Sequence, residues 1–201
     1  MMNRNFRKLS AVAALTTLLL TQAVIADPLH KFGTRGEWRH ADSGWIFPRD
    51  IGGLQRDGSP YTIDGNNDVG AEYTKDEDGQ HLSVLVDLYL PDSAASGATL
   101  AGATASLLKG RGIAPDRAPE SEQAFEIPQR ADVQGRRFTF VSGEDSGTSQ
   151  PVLYFFSASG WVVTVRTTAP AEALGAVDEF VRAMRWDTLG VYDDNMHGGG
   201  S

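Results

Sequence analysis

Residues 151–169 read PVLYFFSASGWVVTVRTTA. Two apolar runs flank the break SASG, and in the second run Trp161, Val163 and Val165 alternate with Val162, Thr164 and Arg166. A period of two places the first set on one face of a β-strand. The first run, PVLYFF, is apolar at every position and reads as a central strand covered on both faces. Just upstream, QGRRFTFV (134–141) alternates with Phe138 and Phe140 inward. Three such strands in succession form an antiparallel meander.

Working outward, PAEALGAVDEFVRAMRW (170–186) predicts a helix. Pro170 suits a first helical turn, and Leu174, Val177, Val181 and Met184 form an apolar stripe. Glu172, Glu179, Arg182 and Arg185 face away, and Asp178 is placed to pair with Arg182 four residues on. The final residues, 187–201, read as a flexible tail.

Upstream, DGNNDVGAEYTKDEDG (64–79) poses a choice between a calcium loop and turns around a strand. A helix-loop-helix calcium loop needs oxygen ligands at positions 1, 3 and 5, Gly at 6 and Glu at 12. Counted from Asp64, position 6 is Val69 and position 12 is Lys75; counted from Asp76, position 6 is His81. Both registers fail. Val69, Ala71 and Tyr73 alternate with polar residues, and HLSVLVDLYL (81–90) puts Leu82, Val84, Val86, Leu88 and Leu90 on one face. The stretch is an antiparallel hairpin with the acidic residues as solvated turn positions. After Pro91, Asp92 is placed to cap a helix running to Lys109, with Gly97 and Gly102 implying close approach to another element. Around Phe125 and Ile127 a short edge strand is expected, ended by Pro128. Near the start, DPLHKFGTRGEWRHADSG (27–44) has no clear period; Trp45 and Phe47 beside it read as core plugs, with a strand near 51–56. The expected fold class is α+β: a single antiparallel β-sheet with two main helices packed on it, forming one domain over 27–186.

The first 26 residues carry Arg4, Arg7 and Lys8, then a 16-residue stretch without charge ending Val24-Ile25-Ala26. This is the pattern of a secretory signal cut after Ala26, and the apolar run falls short of the roughly 20 residues that span a bilayer. The expected location is the periplasm, with no integral membrane segment after cleavage. All 26 acidic residues follow this segment, against fifteen of the 18 basic ones, so the mature chain carries −11. That disfavours nucleic acid and anionic lipid as partners. With no Cys, thiol catalysis, lipoprotein anchoring and disulfide stapling are excluded.

Candidate chemistry is sparse. His30, His40, His81 and His197 show no metal-ligand spacing, and no metal site or cofactor is expected. EDSG (144–147) lacks the first Gly of a serine-nucleophile G-D-S-G and reads as a turn. Nucleotide and nucleophile-elbow fingerprints are absent. The one unusual residue is Arg166, a cation inside a strand, with Asp87 and Tyr89 as expected partners. These three are the candidate ligand-binding residues, as a cross-strand ion pair or as an anion site between sheet and helix.

The combination of GWIFP, IGGLQR, NNDVGAEY, WVVTVRTTAP and VDEFVRAMRW resembles exported proteobacterial proteins with the PsbP-like α/β sandwich. That resemblance implies a non-catalytic accessory role and carries over no catalytic residue. The expected function is therefore a periplasmic binding protein for another envelope protein or a small ligand. A small hydrolase using dispersed carboxylates, or an immunity or inhibitor protein, is the alternative.

Overall fold

The structure is a computed structural model that describes residues 27–33, 35–63, 68–77, 80–90, 93–141 and 149–190. Among these residues are eleven strands and two α-helices: β1 (Leu29–Phe32), β2 (Glu37–His40), β3 (Ile46–Phe47), β4 (Asp50–Ile51), β5 (Leu54–Ile63), β6 (Asp68–Glu77), β7 (Gln80–Tyr89), α1 (Leu100–Lys109), β8 (Ser121–Phe125), β9 (Gln134–Thr139), β10 (Ser149–Ala158), β11 (Trp161–Pro170) and α2 (Leu174–Ala183). Eight strands form one antiparallel sheet in the order β4-β5-β6-β7-β11-β10-β9-β8, and β1-β2-β3 form a second, smaller one.

The expectation of an α+β chain with a single sheet and two main helices is thus corrected: the chain is mostly β, with two sheets. The missing sheet comes from residues 29–47. LHKF and EWRH pair antiparallel, Leu29 with His40 through Phe32 with Glu37, yet neither has the clean apolar alternation of a core strand. Their anchor is the following segment, where Trp45 and Phe47 are nearly fully buried in the main core. Arg56 ties the two sheets together, donating to the carbonyls of Phe47 (2.5 Å), Pro48 (3.1 Å), Gly58 (3.1 Å) and Gly36 (2.8 Å).

The meander and hairpin form as the alternation dictates. β10 pairs with β11 from Ser149↔Pro170 to Ala158↔Trp161, and the two-residue turn places Ser159 and Gly160 at φ 53° and 84°. Those left-handed values match the twist of the strands they join. β6 and β7 pair in register from Val69↔Leu88 to Glu77↔Gln80, while residues 64–67 and 78–79 lie outside the described set. β11 joins the hairpin to the meander by pairing with β7, Val165 opposite Val86.

One face of the large sheet presents Val84, Val86, Leu88, Val163, Val165, Tyr154 and Phe156 to a core completed by Trp45, Phe47, Val177, Phe180, Val181 and Trp186. The opposite face carries a second cluster in which Ala103, Leu107 and Leu108 of α1 meet Phe138, Phe140 and Leu153.

Both helices are shorter than expected. Residues 96–98 form a 3-10 turn, and Thr99 caps α1 by accepting from Gly102 N at 3.1 Å. The expected cap, Asp92, lies outside the described residues. The break before Thr99 brings backbone and ring close to two glycines: a Cβ on Gly97 would sit 2.0 Å from the Tyr89 hydroxyl, and one on Gly102 would sit 1.8 Å from the Ser96 carbonyl oxygen. At the other end, Asp187–Gly190 are packed rather than tail-like. Leu189 is buried, Thr188 Oγ1 accepts from Ile46 N (3.1 Å), and Gly190 N donates to Ser43 O (2.7 Å). Residues 191–201, the rest of the expected tail, lie outside the described set.

Gly102 separates two effects of opposite sign. Helix propensity alone makes Ala at this position more stable by about 1 kcal/mol. The contact with Ser96 predicts instead that Gly102→Ala lowers stability by about 1–3 kcal/mol, as overpacking does. A urea midpoint shifted upward would refute the close-approach reading.

Candidate functional site

The sheet register brings the three sequence-derived residues together. Asp87 lies opposite Thr164, and Arg166 opposite Leu85, so Asp87 and Arg166 are diagonal neighbours across β7 and β11. Arg166 Nη2 donates to Asp87 Oδ2 at 2.5 Å. The Asp87 side chain is 1% exposed and that of Arg166 17%. Arg166 Nη1 reaches up to α1, donating to Ser106 Oγ at 2.6 Å, and the Tyr61 hydroxyl donates to Asp87 Oδ1 at 3.1 Å. Space for Tyr61 and Asp87 exists because their neighbour is Gly70: a Cβ there would stand 2.4 Å from Asp87 Oδ1 and 2.8 Å from the Tyr61 ring.

Electrostatics follow the geometry. Burial pushes the Tyr61 and Tyr89 phenols above their ordinary range, and the neighbouring Asp87 carboxylate pushes them further. Burial works against the charge on Arg166, but Asp87 together with the Tyr89 and Tyr61 phenols more than offsets it, and the guanidinium is shifted upward. The cluster is one cation and one anion with two neutral phenols. Two donor-acceptor positions remain open: Arg166 Nε and Thr164 Oγ1 are buried with no hydrogen-bond partner among the described residues.

Beside Arg166 runs a cleft of about 200 Å³ between α1 and the sheet, lined by Ser83, Leu85, Ser106, Leu107, Arg111 and Arg166, with Gly110 and Thr167 closing it. A separate groove of about 1150 Å³ lies beneath the β8–β9 connection, where Phe125, Ile127, Arg130, Val133, Gly135 and Arg182 contribute to its wall. Arg182 lies over the Phe125 ring at 4.6 Å. The expected Asp178–Arg182 pair does not form. Asp178 turns to the sheet, accepting from Arg137 Nη1 (2.8 Å) and the Tyr154 hydroxyl (2.7 Å). In the groove wall Arg130 grips Asp132 with two 2.8 Å hydrogen bonds, and that contact holds the carboxyl down at about 2.

The acidic stretch 64–79 splits in role. Asp76 is exposed and pairs with His81 at 2.8 Å. Asp68, expected as a solvated turn position, is fully buried; it accepts from Leu90 N at 2.8 Å and from the Ser93 hydroxyl. Its carboxylate closes the chain where β7 ends, a polar clamp that needs no metal. Among the described residues no three His, Asp or Glu side chains are grouped so as to hold a metal ion. EDSG (144–147) and His197 lie outside the described residues.

Of the residues the sequence offered, Arg166 and Asp87 pair, while Tyr89 packs against Ala95 and Ala98; Tyr61, Ser106 and Arg111 were missed. Gly70 was the available signal, a glycine within an alternating strand marking close approach. Among the described residues no helix is long and apolar enough to cross a membrane. No protein-family model matches the chain, and no curated protein matches it.

Two measurements test this cluster. Asp87→Asn leaves a largely buried guanidinium without its counter-charge and is expected to cost about 3 kcal/mol, the low end for breaking such a pair. Replacing both residues by apolar ones, Asp87→Leu with Arg166→Met, is expected to recover most of that loss; urea unfolding that shows no recovery would contradict the pairing. Alkaline titration reads the phenols. Tyr61, Tyr73, Tyr89 and Tyr154 all have raised folded-state values, chiefly through burial. Their contribution to stability is complete below the unfolded value of about 10 and is lost as pH rises through the folded values. Tyrosinate absorbance from the buried Tyr73, Tyr89 and Tyr154 should therefore appear together with unfolding, not before it.

Proposed function

We propose that this chain is an exported periplasmic protein of the cell envelope that binds another envelope component, protein or small ligand, and performs no chemistry on it. The observation that carries this reading is the engagement of its buried carboxylates. Asp87 is tied to Arg166 and Tyr61, and Asp68 to Leu90 N and Ser93. The part-buried Asp178 is tied in the same way to Arg137 and Tyr154. A general acid or base needs a proton it can exchange and a substrate within hydrogen-bond reach. Carboxylates fixed to structural cations and hydroxyls meet neither condition; the cleft beside α1 presents guanidinium groups alone as its charged lining, and the groove sets the single carboxylate of Glu126 against Arg130 and Arg182, groups that bind rather than exchange protons.

Export is supported by the residue pattern of 1–26 and by the position of the fold behind it. Leu29 N donates to Asp27 Oδ1 (3.0 Å) and β1 begins at Leu29, so cleavage after Ala26 leaves every described strand intact. The resemblance of the quoted segments to exported proteins of the PsbP-like superfamily supports the same reading.

The hydrolase reading has one observation in its favour. Asp57 and Glu72 are direct register partners on β5 and β6, a placement that sets Cβ atoms about 5 Å apart. Glu72 is nevertheless bonded by Ser83 Oγ at 2.5 Å, and neither residue lines the cleft or the groove.

The test combines location, capture and turnover. Fractionation with N-terminal sequencing should find the chain in the periplasm beginning at Asp27. Crosslinked capture from native periplasm should retrieve a bound component, and murein and ester panels should show no turnover. Turnover that disappears in Glu72→Gln would overturn the non-catalytic reading.

A further inference from the structure

Resting on the binding role inferred above, we propose that the cleft between α1 and the β7–β11 pair holds a small oxyanion, a carboxylate or a tetrahedral phosphate or sulfate, with Arg166 as its inner wall and Arg111 as its outer arm.

The first argument is donor accounting. A guanidinium carries five N–H donors. Those of Arg166 engage Asp87 and Ser106 through one hydrogen bond on each terminal nitrogen, leaving one N–H on each of those nitrogens and the Nε–H. The Nε–H is buried with no acceptor among the described residues. That atom is closed off from the cleft, so the Arg166 donors left for a ligand are the remaining N–H groups on Nη1 and Nη2. Ser106 adds to this, because its oxygen accepts from Arg166 and its own hydroxyl hydrogen is left to donate.

Charge on the cleft wall points the same way. Its charged lining residues are Arg111 and Arg166, with no carboxylate among them. Asp87 lies behind Arg166 and neutralises it from the far side. Glu72, on the next strand, accepts from Ser83 Oγ. Arg111 is exposed and has no ion pair among the described residues, so it is free to swing onto a ligand. The carbonyls at the end of α1 would oppose an anion, but two of them are occupied. Leu108 O accepts from the backbone N–H groups of Gly110, Arg111 and Ile113, and Lys109 O accepts from that of Gly112.

Size sets the class. About 200 Å³ admits one small polyatomic anion or the acidic end of a larger molecule, not a whole drug-sized ligand, which occupies roughly 300–1,000 Å³. The mature charge of −11 works against any anion at long range, yet at physiological ionic strength charges beyond about 8 Å are largely screened. The local guanidinium groups then decide.

The experiment uses the full mature chain in a buffer free of oxyanions at moderate chloride. Phosphate, sulfate and acetate are titrated separately while amide and Arg Nε–H resonances are followed by NMR. Saturable shifts centred on Ser106, Arg111 and Arg166 are expected for at least one of the three, and the arm that binds distinguishes a carboxylate from a tetrahedral source. Arg111→Ala, an exposed change that leaves the Asp87–Arg166 pair in place, should weaken binding about tenfold, the loss of one charge-assisted contact. Arg117→Ala, an exposed control with the same charge change, should leave it unaltered. No saturable shift for any of the three anions, or equal binding in Arg111→Ala, overturns the site. A captured envelope component that persists in Arg111→Ala would then show the binding role standing without this cleft, whereas turnover on the hydrolase panels would remove that role independently.

Discussion

The fold hinges on Trp186. Its indole N–H donates to Val181 O at 2.8 Å, which turns the ring back under α2. The ring then meets Trp45 edge-on at 5.3 Å and Phe156 at 4.7 Å, joining the C-terminal helix, the N-terminal segment and the central strand at one point. Each aromatic pair of this kind adds about 0.5–1.5 kcal/mol beyond its buried area. The polar contacts around it follow the same line: Thr188 and Gly190 hold the backbone at Ile46 and Ser43. In a chain with no Cys, this aromatic junction does the stapling that disulfides supply in many secreted domains.

The opposite face of the sheet is organised by charge and small residues. Arg166 stands between sheet and helix because Asp87 compensates it from below and Ser106 meets it from above. Gly70 and Gly97 supply the space that Tyr61, Asp87 and Tyr89 occupy. A buried ion pair adds little to stability compared with apolar packing of equal volume, but it fixes which groups face the cleft. Structure and binding potential therefore share the same residues here.

An acidic protein with cationic concavities is a specific physical arrangement. The buried Asp68 and Asp87 and the part-buried Asp178 are turned inward onto hydroxyls, backbone N–H groups or arginines. What they leave at the walls is Arg111 and Arg166 in the cleft, and Arg130 and Arg182 with a single carboxylate, Glu126, in the groove. Positive charge is therefore concentrated in the concavities, and the surplus of exposed carboxylates keeps the rest of the surface hydrated.

Alternation of apolar residues was enough, from the sequence, to define β6, β7, β9 and β11, because a half-buried strand leaves a period that survives without its neighbours, and the unbroken apolar run of β10 marked a strand covered on both faces. The same logic exposed Arg166 as an anomaly and offered Asp87, since a cation within an alternating strand must find an anion close by. It could not reveal the second sheet. β1 and β2 carry little burial of their own, and their place depends on Trp45 and Phe47 being taken into a core assembled from residues over a hundred positions away. Nor could it break the first helix at Thr99 or redirect Asp178 from Arg182 to Arg137 and Tyr154. Each of those outcomes was decided by contact across the fold, where a backbone carbonyl, a phenol or a competing guanidinium outweighs the preference of the local segment.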